Sequence, residues 1–455
     1  MKFRRTARGL LALACLAGVL SRPATAQEPS ASDQPRRLTL REAIDLGLEN
    51  NLQAVLAGGQ TEEAEGELRQ ALSRLLPSFE GAVSQAREKI NLAAFGLAPP
   101  AGESPLVGPF NVFDARLRAE QTLFDSAQSA RVAAARSRLD SRRLSSQQAR
   151  DLVVASVADL YLEALADRAR IDAARSQVQT AEAVEQQAKD RHEAGTAAGI
   201  DELRAQVALA EEQERLIDAE NDLAKQKLRL ARAVGLPAGT PVELADEVPF
   251  QPLAERDLED ALVSARAARP DLKAAEADVA AAESAVAAIR RQRLPRVEAH
   301  GDYGPIGPDP GSAEITYDLA LGVTIPLFEG GRIAGETATA EGRAKQARAR
   351  RDDLSRQVDL EVRSAFLDAA AASRRVAVSS DAKRLATEQV TQARDRFAAG
   401  VAGNLEVVQA QEALAAASER WVRSLYQYNR AKLGLALALG VAEESTLPFL
   451  QGEQP

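Results

Sequence analysis

The sequence predicts an α plus transmembrane-β fold: long α-helical hairpins, internally duplicated, with four β-strands per protomer. Three observations predict it. Two stretches, residues 126–194 and 331–399, hold no proline and almost no glycine and are dominated by Ala, Arg, Glu and Gln, all strong helix formers. At about 1.5 Å per residue each makes a helix roughly 100 Å long, a coiled-coil or tube element rather than a globular one. Ahead of each stretch the apolar period drops to two, which is the strand signature. Finally, a set of markers recurs in one order. "RLLPSFEGAV" (74–83) answers "QRLPRVEAHG" (292–301), and "TLFDS" (122–126) answers "PLFEG" (326–330). "RHEAGTAAGIDELRAQ" (191–206) answers "RFAAGVAGNLEVVQAQ" (396–411). Internal symmetry of this kind decides the architecture before any local assignment does.

Taken in order, residues 1–26 read as a secretory signal peptide. "MKFRRTARG" is basic, "LLALACLAGVL" is apolar, and "ATA" offers a small-residue cleavage site ending at Ala26. The apolar run is too short to span a membrane. Cys15, the only cysteine, lies inside it, so a chain cleaved after Ala26 has no disulfide. A lipoprotein reading would acylate Cys15, which stands too early in the run, with Ala12 where a leucine is usual. Removing the five basic residues of this segment takes the net charge from −9 to −14.

The first repeat is expected over 27–245. A short helix and a second helix (about 52–75) lead to Leu76-Pro77, then strands at about 78–88 and 111–125 joined by the loop 89–110. The long helix (about 126–194), a glycine turn and a return helix (about 200–234) follow. The second repeat, 246–442, has the same order: a helix from Pro270, Leu294-Pro295, strands at about 296–304 and 315–328, a long helix (about 331–399) and a return helix (about 404–439). Residues 443–455 read as a C-terminal tail. A half-length return helix stacked end to end on the helix before the proline nearly matches the long helix. Pseudo-continuous helices side by side are therefore expected.

The strands carry one apolar and one charged face. In "ITYDLALGVTIPL", Ile315, Tyr317, Leu319, Leu321 and Val323 alternate with Thr316, Asp318, Ala320, Gly322 and Thr324; Phe113, Ala115 and Leu117 alternate with Asp114, Arg116 and Arg118. About ten residues of such alternation suit a transmembrane β-barrel, with lipid outside and water inside. A half-buried soluble sheet alternates too. Four strands cannot close a barrel, and open edges in hydrocarbon leave backbone groups unsatisfied at several kcal/mol each. Other copies of the chain must complete it: three give twelve strands, four give sixteen.

Several function classes fall away. An acidic chain without a basic cluster argues against nucleic acid. The two histidines, His192 and His300, have no metal-ligand spacing. No nucleophile triad or phosphate loop appears, so an enzyme is not expected and no cofactor or metal is implied. A periplasmic coiled-coil structural or adaptor protein explains the helices and the export signal, but not the four strands.

The ordered set "LPSFEG", "LPRVEA", "LFDS", "LFEGG" and the two R-x-x-x-G phrases resembles the TolC family of outer-membrane efflux channels, over about residues 38–442. The resemblance implies a homotrimer with a twelve-stranded β-barrel in the outer membrane of a Gram-negative bacterium. It also implies an α-helical periplasmic tunnel ringed by a mixed α/β belt, here the linker 234–254 and the stretch after Leu439. Such a protein serves as the exit duct of tripartite efflux or type I secretion, working with a periplasmic adaptor protein and an inner-membrane transporter.

The glycine phrases then fall at the periplasmic tip. Gly195, Gly199, Gly400 and Gly403 read as helix C-caps and turn positions needing positive φ, and the resemblance makes these turns the adaptor-docking sites. Asp201 and Glu406 stand in the first turn of each return helix, where the helix dipole favours a carboxylate. The family closes its tip with carboxylates and polar links here, which makes Asp201, Glu406, Gln409 and Arg204 the candidate gate. Two residues after the second glycine marker, where the best-known member of the family has an arginine, this chain has Ala402; Arg204 or Arg396 is the candidate substitute cation.

Overall fold

The computed structural model describes residues 36–97, 104–196, 198–237, 239–247, 251–252 and 257–451. The signal peptide expected at 1–26 lies outside the described residues, as do 98–103 of the first loop and 248–250 and 253–256 of the linker. So do the last residues of the tail, 452–455.

Two very long helices set the frame, α3 (Ser126–Glu193) and α7 (Arg332–Ala398). Asp125 caps α3, its carboxylate accepting from the Gln128 N–H at 2.8 Å. Each long helix returns through a half-length helix, α4 (Gly199–Ala233) and α8 (Asn404–Leu439). Above these sit α2 (Leu52–Ser73) and α6 (Pro270–Arg291). The short helices α1 (Leu40–Asn50) and α5 (Leu258–Ala268) precede them. In the half next to the sheet the helices lie in the order α2, α3, α6, α7; in the other half, α4, α3, α8, α7. One chain therefore ends in two open edges, formed by α2 and α4 on one side and by α7 on the other.

End-to-end stacking is made by two matching joints. The return helix α4 closes with Gly235 at φ 75°, and α8 with Gly440 at φ 74°, the left-handed residue that ends a helix and that glycine adopts freely. At the first joint Asn51, the N-cap of α2, donates from Nδ2 to the Ala233 carbonyl at 3.0 Å. At the second, Arg269 stands at the N-terminus of α6. It is buried, pairs with Asp271 and Glu361, and points Nη1 at the Ala438 carbonyl, 3.5 Å away. Both joints satisfy carbonyls that a helix C-terminus leaves without partners.

Four strands form one antiparallel sheet in the order β2-β3-β5-β6: β2 (Ser78–Asn91), β3 (Leu106–Phe124), β5 (Arg296–Gly307) and β6 (Glu314–Thr324). The first pair reaches further into the 89–110 loop than the sequence reading allows, and a turn of 3₁₀ helix (Leu92–Phe95) caps β2. The last strand stops at Thr324, not near 328, because Pro326 has no N–H for the ladder. The register carries the two-faced pattern across the whole sheet. One row runs Glu80, Arg118, Asp302, Asp318; the next, on the opposite face, runs Phe79, Ala119, Gly301, Leu319. On that apolar face Phe79 is 70% exposed, Tyr317 74% and Leu319 79%.

A belt surrounds the middle of α3. The strand β1 (Arg36–Leu38) pairs in parallel with β4 (Val242–Leu244). The stretch read as a C-terminal tail is helical from Ala442 to Gln451, here α9. Its N-terminus is capped from α3, where Asp151 accepts the Glu443 N–H at 2.8 Å and Arg150 pairs with Glu443. The Tyr161 hydroxyl lies 2.8 Å from both the Leu38 carbonyl and the Asp246 carboxylate, sharing its proton between them. Arg168 donates to the Leu244 carbonyl at 2.8 Å. Val154, Val157, Tyr161 and Leu162 of α3 form the largest apolar core with Leu38, Ile44 and Leu230.

Candidate functional site

The far end of the helical frame carries the repeated phrases, and both long helices end there in the same turn. In the first hairpin the Gly195 N–H donates to the His192 carbonyl (2.9 Å) and the Thr196 N–H to the Arg191 carbonyl (2.8 Å). In the second, Gly400 donates to Phe397 (3.0 Å) and Val401 to Arg396 (3.1 Å). This closure needs one left-handed residue, and Gly195 and Gly400 supply it at φ 68° and 71°. Gly199 and Gly403, expected in the same role, do not fill it. Gly199 opens α4, and Gly403 is the N-cap of α8 at φ −82°, ψ 163°. The turn uses a single left-handed residue, and the second glycine falls on the helix-start side, as the first residue of α4 in one hairpin and the extended N-cap of α8 in the other. A Cβ at Gly199 would stand 3.3 Å from His192 Cε1, a contact that the exposed imidazole relieves by a small shift.

The candidate gate residues do not form one cluster. Glu406 accepts from Arg396 Nε at 3.0 Å, within its own hairpin. Asp201 faces Arg204 one turn on, at 3.6 Å, within the other. Gln409, at the place where the first phrase has Arg204, is exposed. Both acids lie in first turns, Asp201 beside Glu202, and neither return helix has a side-chain N-cap. Each carboxylate thus meets both a helix dipole and a cation of its own hairpin.

The tie between the hairpins is a residue the sequence reading passed over. Arg191 lays its guanidinium over the Phe397 ring, 4.1 Å from the centroid, and donates to the Ala398 carbonyl at 3.1 Å. The ring face and the C-terminal carbonyl of α7 are both negative, so both hold a cation. Beneath it Val184, Ala188, Ala205, Phe397, Val407 and Ala410 join all four helices in one apolar cluster. A signal existed in the sequence: Arg191 and Arg396 are the arginines of the two R-x-x-x-G phrases. Arg204 satisfies Asp201, which leaves Arg191 to reach across, while Gln409 offers Glu406 no charge and Arg396 turns to it.

The family model for outer membrane efflux proteins matches residues 43–236 and 261–441. The chain belongs to the outer membrane efflux protein family. That membership makes it an outer membrane efflux protein. The alkaline protease secretion protein AprF of Pseudomonas aeruginosa is 26% identical over 279 residues, covering 57% of this chain and 56% of AprF, little more than half of that relative. The pyoverdine export outer membrane protein OpmQ of Pseudomonas putida is 25% identical over 431 residues, covering 90% and 87%. Among solved structures, the outer-membrane channel OprN superposes with a TM-score of 0.76 at 18% identity, over 88% of this chain and 89% of that one. The outer membrane protein VceC of Vibrio cholerae gives 0.75 at 23%, over 88% and 96%. The fold of these outer-membrane proteins is thus shared over 88% of the chain.

Proposed function

We propose that this efflux protein works as a homotrimer, its three four-stranded sheets closing a twelve-stranded barrel and its helices continuing that barrel as a periplasmic tunnel. Substrate would pass from an inner-membrane transporter, through a periplasmic adaptor protein, to the outside. The observation that carries the reading is the sheet. Its apolar face is exposed in one copy and its two edge strands, β2 and β6, are unpaired there, and only closure with further copies removes both defects. The helical edges agree. Exposed apolar side chains gather on α4 (Ile200, Val207, Ile217) and on α7 (Leu360, Leu367, Val378), and edges that differ make a head-to-tail contact that closes as a ring.

Internal duplication is part of the same proposal. Glu65 of α2 pairs with Arg143 of α3 at 2.9 Å, and Glu283 of α6 pairs with Arg348 of α7 at 2.6 Å. The acids are 218 apart and the arginines 205, the same offsets that relate the Leu-Pro markers and the tip phrases. The matching ion pair supports repeats over 27–245 and 246–442. At the tip, Asp201, Glu406, Gln409 and Arg204 of three copies would form a polar gate, with the turns at Gly195, Gly199, Gly400 and Gly403 as the docking points for the adaptor. Reconstitution of the purified protein in a planar lipid bilayer tests the function. The expected result is a small, cation-blockable conductance that rises in D201A/E406A. No conductance from correctly assembled protein would overturn the duct; unchanged conductance in the variant would overturn the gate.

A further inference from the structure

The open edges of the protomer carry opposite charge where they stand nearest the sheet. Helix α2 packs on α3 along its length, with Ala64 buried. Glu62 lies about 160° round the helix from Ala64, so it points away from the protomer, and Gly59 and Gly66 share its face at spacings of three and four. Glu62 is exposed and has no ion-pair partner among the described residues, whereas Glu65 has Arg143, and Glu63 and Glu67 line a groove beside Arg138 and Arg142 of α3. On the other edge, Ala340 and Ala344 of α7 are buried in a cluster with Val286 of α6. Gly335 and Gly342 lie on the opposite side of α7, and Arg343 and Lys345 flank that side. Both cations are exposed and neither has an ion-pair partner among the described residues, while Arg348 is taken by Glu283.

The two charged groups stand at one height. Glu62 is eleven residues before Ser73, the end of α2 that leads into the sheet, and Arg343 is eleven residues after Arg332, the end of α7 that leaves it. At about 1.5 Å per residue both lie roughly 17 Å below the sheet. The glycines have no use within one copy: a Cβ at Gly59, Gly66, Gly335 or Gly342 would meet nothing within 4 Å. Glycine inside a helix is unfavourable compared with alanine, so a surface that keeps four of them needs a reason, and close approach of another helix supplies one.

We propose that these faces form one seam with a second copy of this chain, α2 of one protomer lying along α7 of the next. Glu62 meets Arg343 and Lys345, and the paired glycines let the two helices approach closely. The proposal rests on the ring-closure reading above and deepens it: the charge pattern, acid on one edge and base on the other, keys the order of edges. Joining α2 to α2 or α7 to α7 would oppose like charges, so only head-to-tail closure is favoured.

The test is charge exchange in the full-length protein, purified in detergent, with trimer content read by native mass spectrometry and by the temperature at which the trimer band disappears on gels. E62R and R343E/K345E are each expected to lose trimer at temperatures where the wild type keeps it, and the combined exchange to regain it. A second readout guards against misfolding. A chain cleaved after Ala26 lacks cysteine, so E62C/R343C treated with a short bismaleimide should give covalent multimers, and E62C alone should not. Wild-type trimer stability in both charge variants, or no recovery in the exchange, overturns the seam while leaving the trimer intact. A monomeric wild type overturns the ring-closure reading and the seam with it.

Discussion

Arg191 and Arg396 occupy the same place in two nearly matching phrases, yet one reaches across to the other hairpin and the other stays within its own. The difference is set three residues beyond each acid, where Arg204 stands in one phrase and Gln409 in the other. That contrast is legible in the sequence; the partner of Arg191 is not, because Phe397 lies 206 positions away and only the packed tip brings them together. A second residue could not have been picked out at all. Lys432 of α8 is fully buried, donates to the Gln251 carbonyl at 2.5 Å and lies over the Tyr428 ring. Burial pulls its ammonium down from 10.5 to about 8. Between those two values the unfolded chain holds the proton and the folded chain has released it, so the unfolded state binds more protons and stability rises with pH. The melting temperature in detergent is expected to climb from about pH 8 to pH 10, and K432M to flatten the climb. An equal climb in K432M would show that another group causes it.

At the scale of elements, the long helices and the strands were legible because their periods persist over many residues. The belt was not. Three-residue strands are too short to show a period, and Arg36–Leu38 finds its partner only at Val242–Leu244. Helix α9 holds Pro448 and draws its N-cap from Asp151 on another helix, so nothing local marks its start. The joints between stacked helices make a measurable distinction. Gly440 and Gly195 share nearly the same left-handed backbone, but a Cβ at Gly440 would stand 2.7 Å from Arg269 Cα, whereas one at Gly195 meets nothing. Alanine at either position bears the left-handed penalty of about 1–2 kcal/mol. G440A is expected to lose more stability than G195A in thermal melts, the excess measuring the contact with Arg269; equal losses would mean the joint yields freely.

For the whole molecule, the sequence implies a tube from two sources, helices too long for a globule and strands with nothing to cover them. Neither says which helix holds the rest in place. In the structure that helix is α3: the belt strands and α9 fasten to it through Tyr161, Arg168, Arg150 and Asp151, and α1 packs on it. The distal half of α7 touches α8 and the tip cluster and has no bond to the belt among the described residues. The chain therefore has a spine and a limb. Backbone amides exchange with solvent through local openings, whose cost follows the contacts each opening must break. In deuterium exchange on the assembled protein, amides at 376–398 of α7 should exchange well before those at 151–168 of α3, although both stretches are helical throughout. Equal protection would mean that neighbouring copies, not the belt, carry the rigidity. Such unequal protection would let one half of the tip move while the other stays fixed, so a single protomer supplies both the moving part and the frame it moves against.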